Sequence, residues 1–147
     1  GSGQTQRSTG TPVALITGAA LRVGAEVART LHQAGINLAL HYRRSAGPAQ
    51  ALADELQASR PDSVLLVSGD LLDLDIIPGL IEDTVAHFGR LDYLINNASS
   101  FYPTPIGEIT AEHWDDLIGT NLRAPLFLAQ AAAPHLRRSR GAIVNMV

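Results

Sequence analysis

The stretch Val13-Ala14-Leu15-Ile16-Thr17-Gly18-Ala19-Ala20-Leu21-Arg22-Val23-Gly24 joins a short apolar run to a turn bounded by two glycines. The run 13–17 predicts a buried strand, because it is continuously apolar up to the turn. Apolar residues then recur at helical spacing over 24–34 and stop at Gly35, a residue that commonly ends helices. A strand, a glycine-bearing turn and a helix in this order predict the first unit of a parallel α/β sheet.

The same alternation continues along the chain. Further strands are predicted at 37–42, 64–68, 91–96 and from 141 onward, and further helices at 48–59 and 76–88, with one long or two consecutive helices over 111–138. Strands that read as apolar runs and alternate with helices indicate a sheet that is covered on both faces. The predicted fold class is therefore α/β, a doubly wound parallel sheet of the Rossmann type.

Length and composition limit the classes of function. The 147 residues, of which 46% are hydrophobic, fit one domain, expected over 12–147, after a disordered or expression-derived tail at 1–11. The net charge of −3 predicts neither nucleic-acid nor membrane binding, and no apolar run reaches the ~20 residues of a membrane span. The absence of cysteine excludes disulfides and thiol catalysis and suits a cytoplasmic protein. The five histidines show no metal-ligand spacing, so no metal site is predicted.

The turn between the first strand and the first helix is a candidate phosphate-binding turn. Such a turn needs glycine where the backbone bends or approaches a pyrophosphate, and a helix N-terminus that faces the negative charge. Gly18 and Gly24 fit the two ends, and Arg22 stands where a middle glycine is usual. The alternative is an ordinary strand-to-helix turn, but its place in the first strand–helix unit favours nucleotide binding.

The second candidate segment, His41-Tyr42-Arg43-Arg44-Ser45, follows the second strand. NAD sites carry an acidic residue here, which accepts a hydrogen bond from the ribose 2′-hydroxyl. This chain instead has two guanidiniums and a hydroxyl, which suit a 2′-phosphate, so NADPH is the predicted cofactor. The alternative is a solvated basic loop.

Two more polar segments follow later strands. Asp70 comes after the third strand and is equally consistent with an acceptor for the adenine amino group and with a turn or N-cap residue. After the fourth strand comes Asn96-Asn97-Ala98-Ser99-Ser100-Phe101-Tyr102-Pro103-Thr104-Pro105, the most distinctive motif of the chain.

Together these segments resemble the short-chain dehydrogenase/reductase family from about residue 12 to the last residue. The Thr-Gly start, the acid after the third strand, the Asn-Asn-Ala segment and Asn121 on the following helix recur there in this order. Three features are similar to pteridine reductases within that family. They are the arginine at position 22, the His-Tyr-x-Arg-Ser segment and the Asn-Asn-Ala-Ser-Ser-Phe-Tyr-Pro-Thr-Pro motif.

The resemblance implies roles for individual residues. Phe101 would stack on a flat pterin, with Ser99 and Arg22 also contacting the substrate, and Asn121 would act in catalysis by helping to hold a water near a catalytic lysine. The alternatives are purely structural roles, a core aromatic residue for Phe101 and a local helix irregularity for Asn121. The implied cofactor-binding residues are Gly18, Arg22, Val23, Gly24, His41, Tyr42, Arg43, Arg44, Ser45, Asp70, Leu71, Asn97, Ala98, Ser99 and Met146.

The chain departs from the family in its catalytic pair, a tyrosine followed four positions later by lysine. All eleven of its Lys and Arg residues are arginine, and its three tyrosines are followed at that spacing by Ala46, Asn97 and Ile106. The expectation is a fragment that lacks this pair and is inactive alone. The complete enzyme would reduce a dihydropterin or folate with NADPH, as a homo-tetramer that associates through 111–138. The alternatives are a reductase of ketone, sugar or acyl carrier substrates, or a non-catalytic nucleotide-binding module.

Overall fold

The computed structural model of the protein describes residues 10–100 and 105–146. Five parallel strands form one sheet in the order β3-β2-β1-β4-β5. The strands are β1 (Val13–Ile16), β2 (Asn37–Tyr42), β3 (Val64–Ser68), β4 (Tyr93–Asn96) and β5 (Ala142–Asn145). The helices are α1 (Arg22–Gln33), α2 (Ala46–Ser59), α3 (Ile77–Phe88), α4 (Ala111–Ile118) and α5 (Ala124–Ser139). The predicted doubly wound parallel sheet is thereby confirmed.

The central strand β1 explains the three-layer architecture. Its four residues are fully buried, and successive side chains point to opposite faces of the sheet. Val13 and Leu15 pack in one core with apolar residues of α3 and α5. Ala14 and Ile16 pack in the other core with residues of α1 and α2. A strand with water on neither face must be apolar at every position, which is why β1 reads as an uninterrupted apolar run.

The helices begin and end at residues with a local physical reason. Gly35 follows α1 with φ of +93°, and Gly89 ends α3 with φ of +84°, a conformation that glycine adopts without steric cost. At the start of α4, the Thr110 hydroxyl accepts from the His113 N–H at 3.1 Å, and the His113 Nδ1 accepts from the Thr110 N–H at 3.2 Å. This reciprocal cap fixes where α4 begins.

The predicted helical region 111–138 is divided in two. Between α4 and α5 the backbone forms a π-helical stretch, Gly119–Arg123, in which one extra residue is accommodated in the turn. A short 3₁₀ turn, Leu74–Ile76, also precedes α3. Helical periodicity predicted that 111–138 is helical but did not predict where the π-helical stretch interrupts it.

Burial differs from simple sequence patterns at two places. The four residues of β5 are all exposed, although three of them are apolar, because no described helix packs extensively on this strand. His32, in the last turn of α1, is 3% exposed, and its Nε2 lies 2.7 Å from the Ser63 hydroxyl. The helix face that buries Gly24, Ala25 and Ala28 includes position 32, so the histidine is drawn under the sheet edge with a polar partner.

Candidate cofactor-binding site

A cleft of about 570 Å³ opens at the carboxyl ends of the strands. It lies where the chain order changes direction, with β2 on one side of β1 and β4 on the other. Ligands of doubly wound sheets bind at such switch points. All fifteen predicted cofactor-binding residues line this cleft, together with four that the sequence did not single out, namely Ala20, Leu21, Ser100 and Thr120.

The two outer glycines of the turn are required by close packing. Gly18 has φ of +60°, and a Cβ there would lie 2.9 Å from the Ala98 Cα. A Cβ on Gly24 would lie 2.6 Å from the Asn97 side-chain nitrogen and even closer to the Gly18 carbonyl oxygen. Side-chain carbons do not fit at either position, so the backbone of the turn is held against the end of β4.

Thr17 joins the ends of β1 and β4. Its hydroxyl oxygen accepts from the N–H groups of Asn97 and Ala98, both at 3.0 Å, and the residue is 1% exposed. The Asn97 side-chain nitrogen donates to the Gly18 carbonyl at 3.0 Å. The sequence placed Thr17 at the end of a strand and in the Thr-Gly start of the family motif, but assigned no contact to its hydroxyl. The available signal was a hydroxyl directly after a fully buried apolar run, because a buried hydroxyl needs partners.

Arg22 keeps the backbone geometry of the glycine that it replaces. Its φ is +53°, in the left-handed region that favours glycine and that costs other residues about 1–2 kcal/mol. The Arg22 side chain is exposed at the cleft. A strained residue at a cleft suggests that its side chain has a function there.

The backbone N–H groups of the turn are divided between the protein and the cleft. The Gly18 N–H donates to the His41 Nδ1 at 3.1 Å, and the Ala19 N–H donates to the His41 carbonyl at 2.9 Å. The first N–H groups of α1, which begins at Arg22, have no partner one turn earlier in the helix. With the helix dipole, they favour an anion at this end of the cleft.

His41 is buried, and both of its ring nitrogens bond to the protein. The His41 Nδ1 accepts from the Gly18 N–H, and the Nε2 lies 2.9 Å from the Gly69 carbonyl oxygen. Since a carbonyl only accepts, Nε2 carries the proton and the ring is the neutral Nε2–H tautomer. Burial lowers the pKa of His41, while the Gly69 carbonyl and the Asp70 carboxylate act in the opposite direction. The ring nitrogens are thus occupied by the protein itself.

Asp70 is held by its own loop and by Arg43. Its Oδ1 accepts from the Leu72 N–H at 2.9 Å, and its Oδ2 lies 3.0 Å from the Arg43 Nη2. The turn role left open by the sequence is therefore present, and contact with adenine stays a prediction. The ion pair is more than two-fifths exposed on both sides, so it is weak. Within the described residues Arg44 makes no ion pair.

Asn121 connects the π-helical stretch to the loop after β4. Its side-chain oxygen accepts from the Ser100 N–H at 2.9 Å, and its nitrogen donates to the Ser100 carbonyl at 2.8 Å. The neighbouring Thr120 lines the cleft, whereas Asn121 does not. The predicted catalytic role of Asn121 stays a prediction, and its observed hydrogen bonds hold the backbone of Ser100. Phe101 lies outside the described residues.

The described residues contain neither a metal-binding cluster nor a membrane-spanning helix. Across 10–100 and 105–146, no three His, Asp or Glu side chains come together in a way that could hold a metal ion. In those ranges no helix combines the length and the hydropathy needed to cross a bilayer.

Comparison with known proteins shows that the chain matches one family model and is similar to several reductases. The model of the short chain dehydrogenase family matches residues 12–147. A pteridine reductase 1 from Leishmania tarentolae is 38% identical, covering 92% of this chain and 60% of the relative. A 3-oxoacyl-acyl-carrier-protein reductase from Staphylococcus aureus is 35% identical, covering 92% and 55%. A hydroxynaphthalene reductase-like protein from Metarhizium anisopliae is 34% identical, covering 99% and 54%. The chain thus spans little more than half the length of these relatives.

Proposed function

Because this chain belongs to the short-chain dehydrogenase family, we propose that it forms the NADPH-binding part of a reductase that acts on pterins or folates. The observation that carries the proposal is the convergence of the fifteen predicted residues on one cleft at the switch point of the sheet. The experiment that tests it is a comparison of NADPH and NADH binding, followed by assays with pterin substrates.

The residues of the cleft fit a dinucleotide. Packing against the end of β4 leaves no room for side chains at Gly18 and Gly24, and the turn leads into the N-terminus of α1, which favours an anion. At the other end of the cleft, Arg43, Arg44 and Ser45 offer donors for a 2′-phosphate. No acidic residue stands at the end of β2 to accept from a 2′-hydroxyl, and this favours NADPH over NADH.

The pterin part of the proposal is supported by the loop after β4 and by one relative. Ser99 and Arg22 both line the cleft, and the Ser-Ser-Phe-Tyr-Pro segment that follows resembles that of pteridine reductases. The relative named pteridine reductase 1 carries the highest identity of the three given above. The alternative is a reductase of acyl carrier or other carbonyl substrates, since relatives named for such substrates match at similar identity.

In the proposed reaction, residues of this chain bind the nucleotide and orient the loop beside the substrate. The nicotinamide, when bound, supplies a hydride. The Gly18–Gly24 turn and the arginines of the cleft hold the nucleotide, and Asn121 fixes the backbone of Ser100 beside the substrate-binding Ser99. The 147 residues contain no lysine and so cannot provide a Tyr-x-x-x-Lys pair. We therefore expect the 147-residue chain to bind NADPH without reducing a dihydropterin.

The exposed face of α4 and α5 supports a homo-oligomer of the complete protein. Trp114, Leu122 and Leu126 are each 62% exposed and follow one another at intervals of eight and four residues. Exposed apolar stripes of this kind commonly mark subunit contacts. Assembly as a tetramer is part of this proposal.

The test uses the 147-residue chain and titrates it with NADPH and with NADH under identical conditions. We expect NADPH to bind at least tenfold more tightly, on the scale of one charged hydrogen bond. Equal affinities would contradict the NADPH assignment. Dihydropterin turnover by material of confirmed mass would contradict the expectation that a lysine-bearing pair is needed.

A further inference from the structure

We propose that His41 is the positioning residue of the nucleotide-binding turn, and that only its neutral, Nε2-protonated ring holds the turn in its binding conformation. This inference rests on the proposed nucleotide-binding function and assigns His41 a different task from ligand contact. Its direct consequence is that protonation of the ring weakens binding of a dinucleotide pyrophosphate.

The first step of the argument is the position of the ring. His41 lies in β2 and is 2% exposed, and its ring connects the ends of three strands of the sheet. On one side Nδ1 accepts from the Gly18 N–H at the end of β1, and on the other Nε2 donates to the Gly69 carbonyl at the end of β3. Within the described residues, no other side chain bonds to both of these loops.

The second step is the effect on the turn. The Gly18 and Ala19 N–H groups donate to His41, and these bonds fix the end of the turn next to β1. The N–H groups at the start of α1 are then left to face the cleft. Gly18 also contacts Ala98, and Asn97 donates to its carbonyl, so a shift of Gly18 would disturb the β4 side as well. The ring thus controls the alignment of the anion site through the backbone of the turn.

The third step is the chemistry of protonation. An imidazolium carries a proton on each nitrogen, so Nδ1 could no longer accept and would present N–H to the Gly18 N–H. Two donors at 3.1 Å repel each other, and the turn must move away. The described charged groups around the cleft are Arg22, Arg43, Arg44 and Asp70. Asp70 favours the imidazolium but is already paired with Arg43.

The test measures the affinity of ADP-ribose for the protein between pH 8 and pH 5.5, while circular dichroism monitors folding. ADP-ribose is used because its pyrophosphate keeps the same charge over this range, whereas a 2′-phosphate titrates. We expect binding to weaken towards the acid end by less than tenfold, because burial already lowers the pKa of His41 and only part of the protein is protonated at pH 5.5. A flat affinity in folded protein would overturn the proposal.

Two substitutions separate the two ring contacts. In His41→Asn, the side-chain Oδ1 can accept from the Gly18 N–H as the histidine Nδ1 does. Neither the His41→Asn nor the His41→Gln side chain can titrate. The longer His41→Gln can reach the Gly69 carbonyl but not Gly18. We expect the Asn variant to bind ADP-ribose within about threefold of the parent at pH 8 with no pH dependence, and the Gln variant to bind about tenfold more weakly at every pH. His87→Asn, on α3 and away from the cleft, is the control and should keep the parental pH profile.

Nitrogen NMR of the unsubstituted protein keeps the proposal testable if a variant fails to fold. The His41 signals should show an unprotonated Nδ1 and a protonated Nε2 at pH 7.5. ADP-ribose should lower the pKa of His41, because linkage is reciprocal. The opposite tautomer, or a pKa that ADP-ribose leaves unchanged, would overturn the proposal. If neither ADP-ribose nor NADPH binds at pH 8, it is the proposed function that fails instead.

Discussion

Arg43 Nη2 lies 3.0 Å from Asp70 Oδ2, and this ion pair joins the end of β2 to the loop after β3 across one end of the cleft. The sequence assigned both residues to the nucleotide but did not predict that they bond to each other. The pair gives the two neighbouring arginines different surroundings. Arg43 is already compensated by a carboxylate, whereas Arg44 has no such partner in the described part of the chain.

The first prediction concerns these arginines. Arg44→Ala should reduce the preference for NADPH over NADH by about 1–3 kcal/mol, the scale of a charged hydrogen bond to phosphate. Arg43→Ala should reduce it at least as much, because it also leaves the Asp70 carboxylate uncompensated near the ligand. Calorimetric titration of both cofactors gives the difference. Arg137→Ala, in the last turn of α5, is the matched control, and a preference that survives both cleft substitutions would refute the 2′-phosphate assignment.

The second prediction compares two helical glycines. Gly24→Ala should destabilise the protein by about 1–3 kcal/mol and weaken nucleotide binding, because its Cβ would collide with Asn97 and the Gly18 carbonyl. Gly79→Ala in α3 has open space around the new Cβ and should stabilise by about 0.5–1 kcal/mol. Urea unfolding of both variants measures the contrast. Similar changes in the two free energies of unfolding would show that the packing of the turn does not restrict Gly24.

The third prediction concerns the substrate. In the complete enzyme, Phe101→Ala should weaken pterin and antifolate binding by about 1–3 kcal/mol if the ring stacks on the pterin. NADPH affinity without substrate should change much less. A core role would instead lower the melting temperature through a cavity worth about 3–5 kcal/mol and would loosen both ligands alike. Measuring stability and both affinities on one variant separates these outcomes.

The fourth prediction concerns acid stability. Burial lowers the pKa of His32, and the charge of Arg60 adds to this effect. The unfolded chain therefore binds a proton near pH 6.5 while the folded protein still excludes it. The stability that neutral His32 contributes is complete above about pH 6.5 and is lost as the pH falls below that value.

His32→Gln tests whether His32 causes part of this loss of stability at acid pH. Its side-chain nitrogen can still donate toward the Ser63 hydroxyl, but it cannot titrate. Urea unfolding from pH 8 to pH 5 should show a shallower loss of stability on acidification in the variant than in the parent. His41 and His135 also have lowered pKa values and should leave part of the slope in place. An identical slope in both proteins would contradict the prediction.

The architecture could be predicted from local patterns. The continuous apolar run of β1, the helical spacing that ends at Gly35 and the Pro78 and Gly89 signals around α3 are consequences of periodicity and backbone preference within a few residues. The grouping of polar residues after strands also followed, since the carboxyl ends of parallel strands share one edge. Together with the family resemblance, this grouping led to the fifteen cofactor-binding positions, which line one cleft and stay predictions as ligand contacts.

Tertiary structure alone decided how those residues contact one another. Thr17 bonds to groups 80 and 81 positions away, and the His41 ring bonds to loops 23 and 28 positions away. Such contacts depend on strand order and register, which a local pattern does not contain. The place of the π-helical stretch, and with it the contact of Asn121 with Ser100, depends likewise on packing between distant segments. Periodicity predicts which face of a helix or strand is apolar, but hydrogen-bond partners are determined by which ends of the sheet meet.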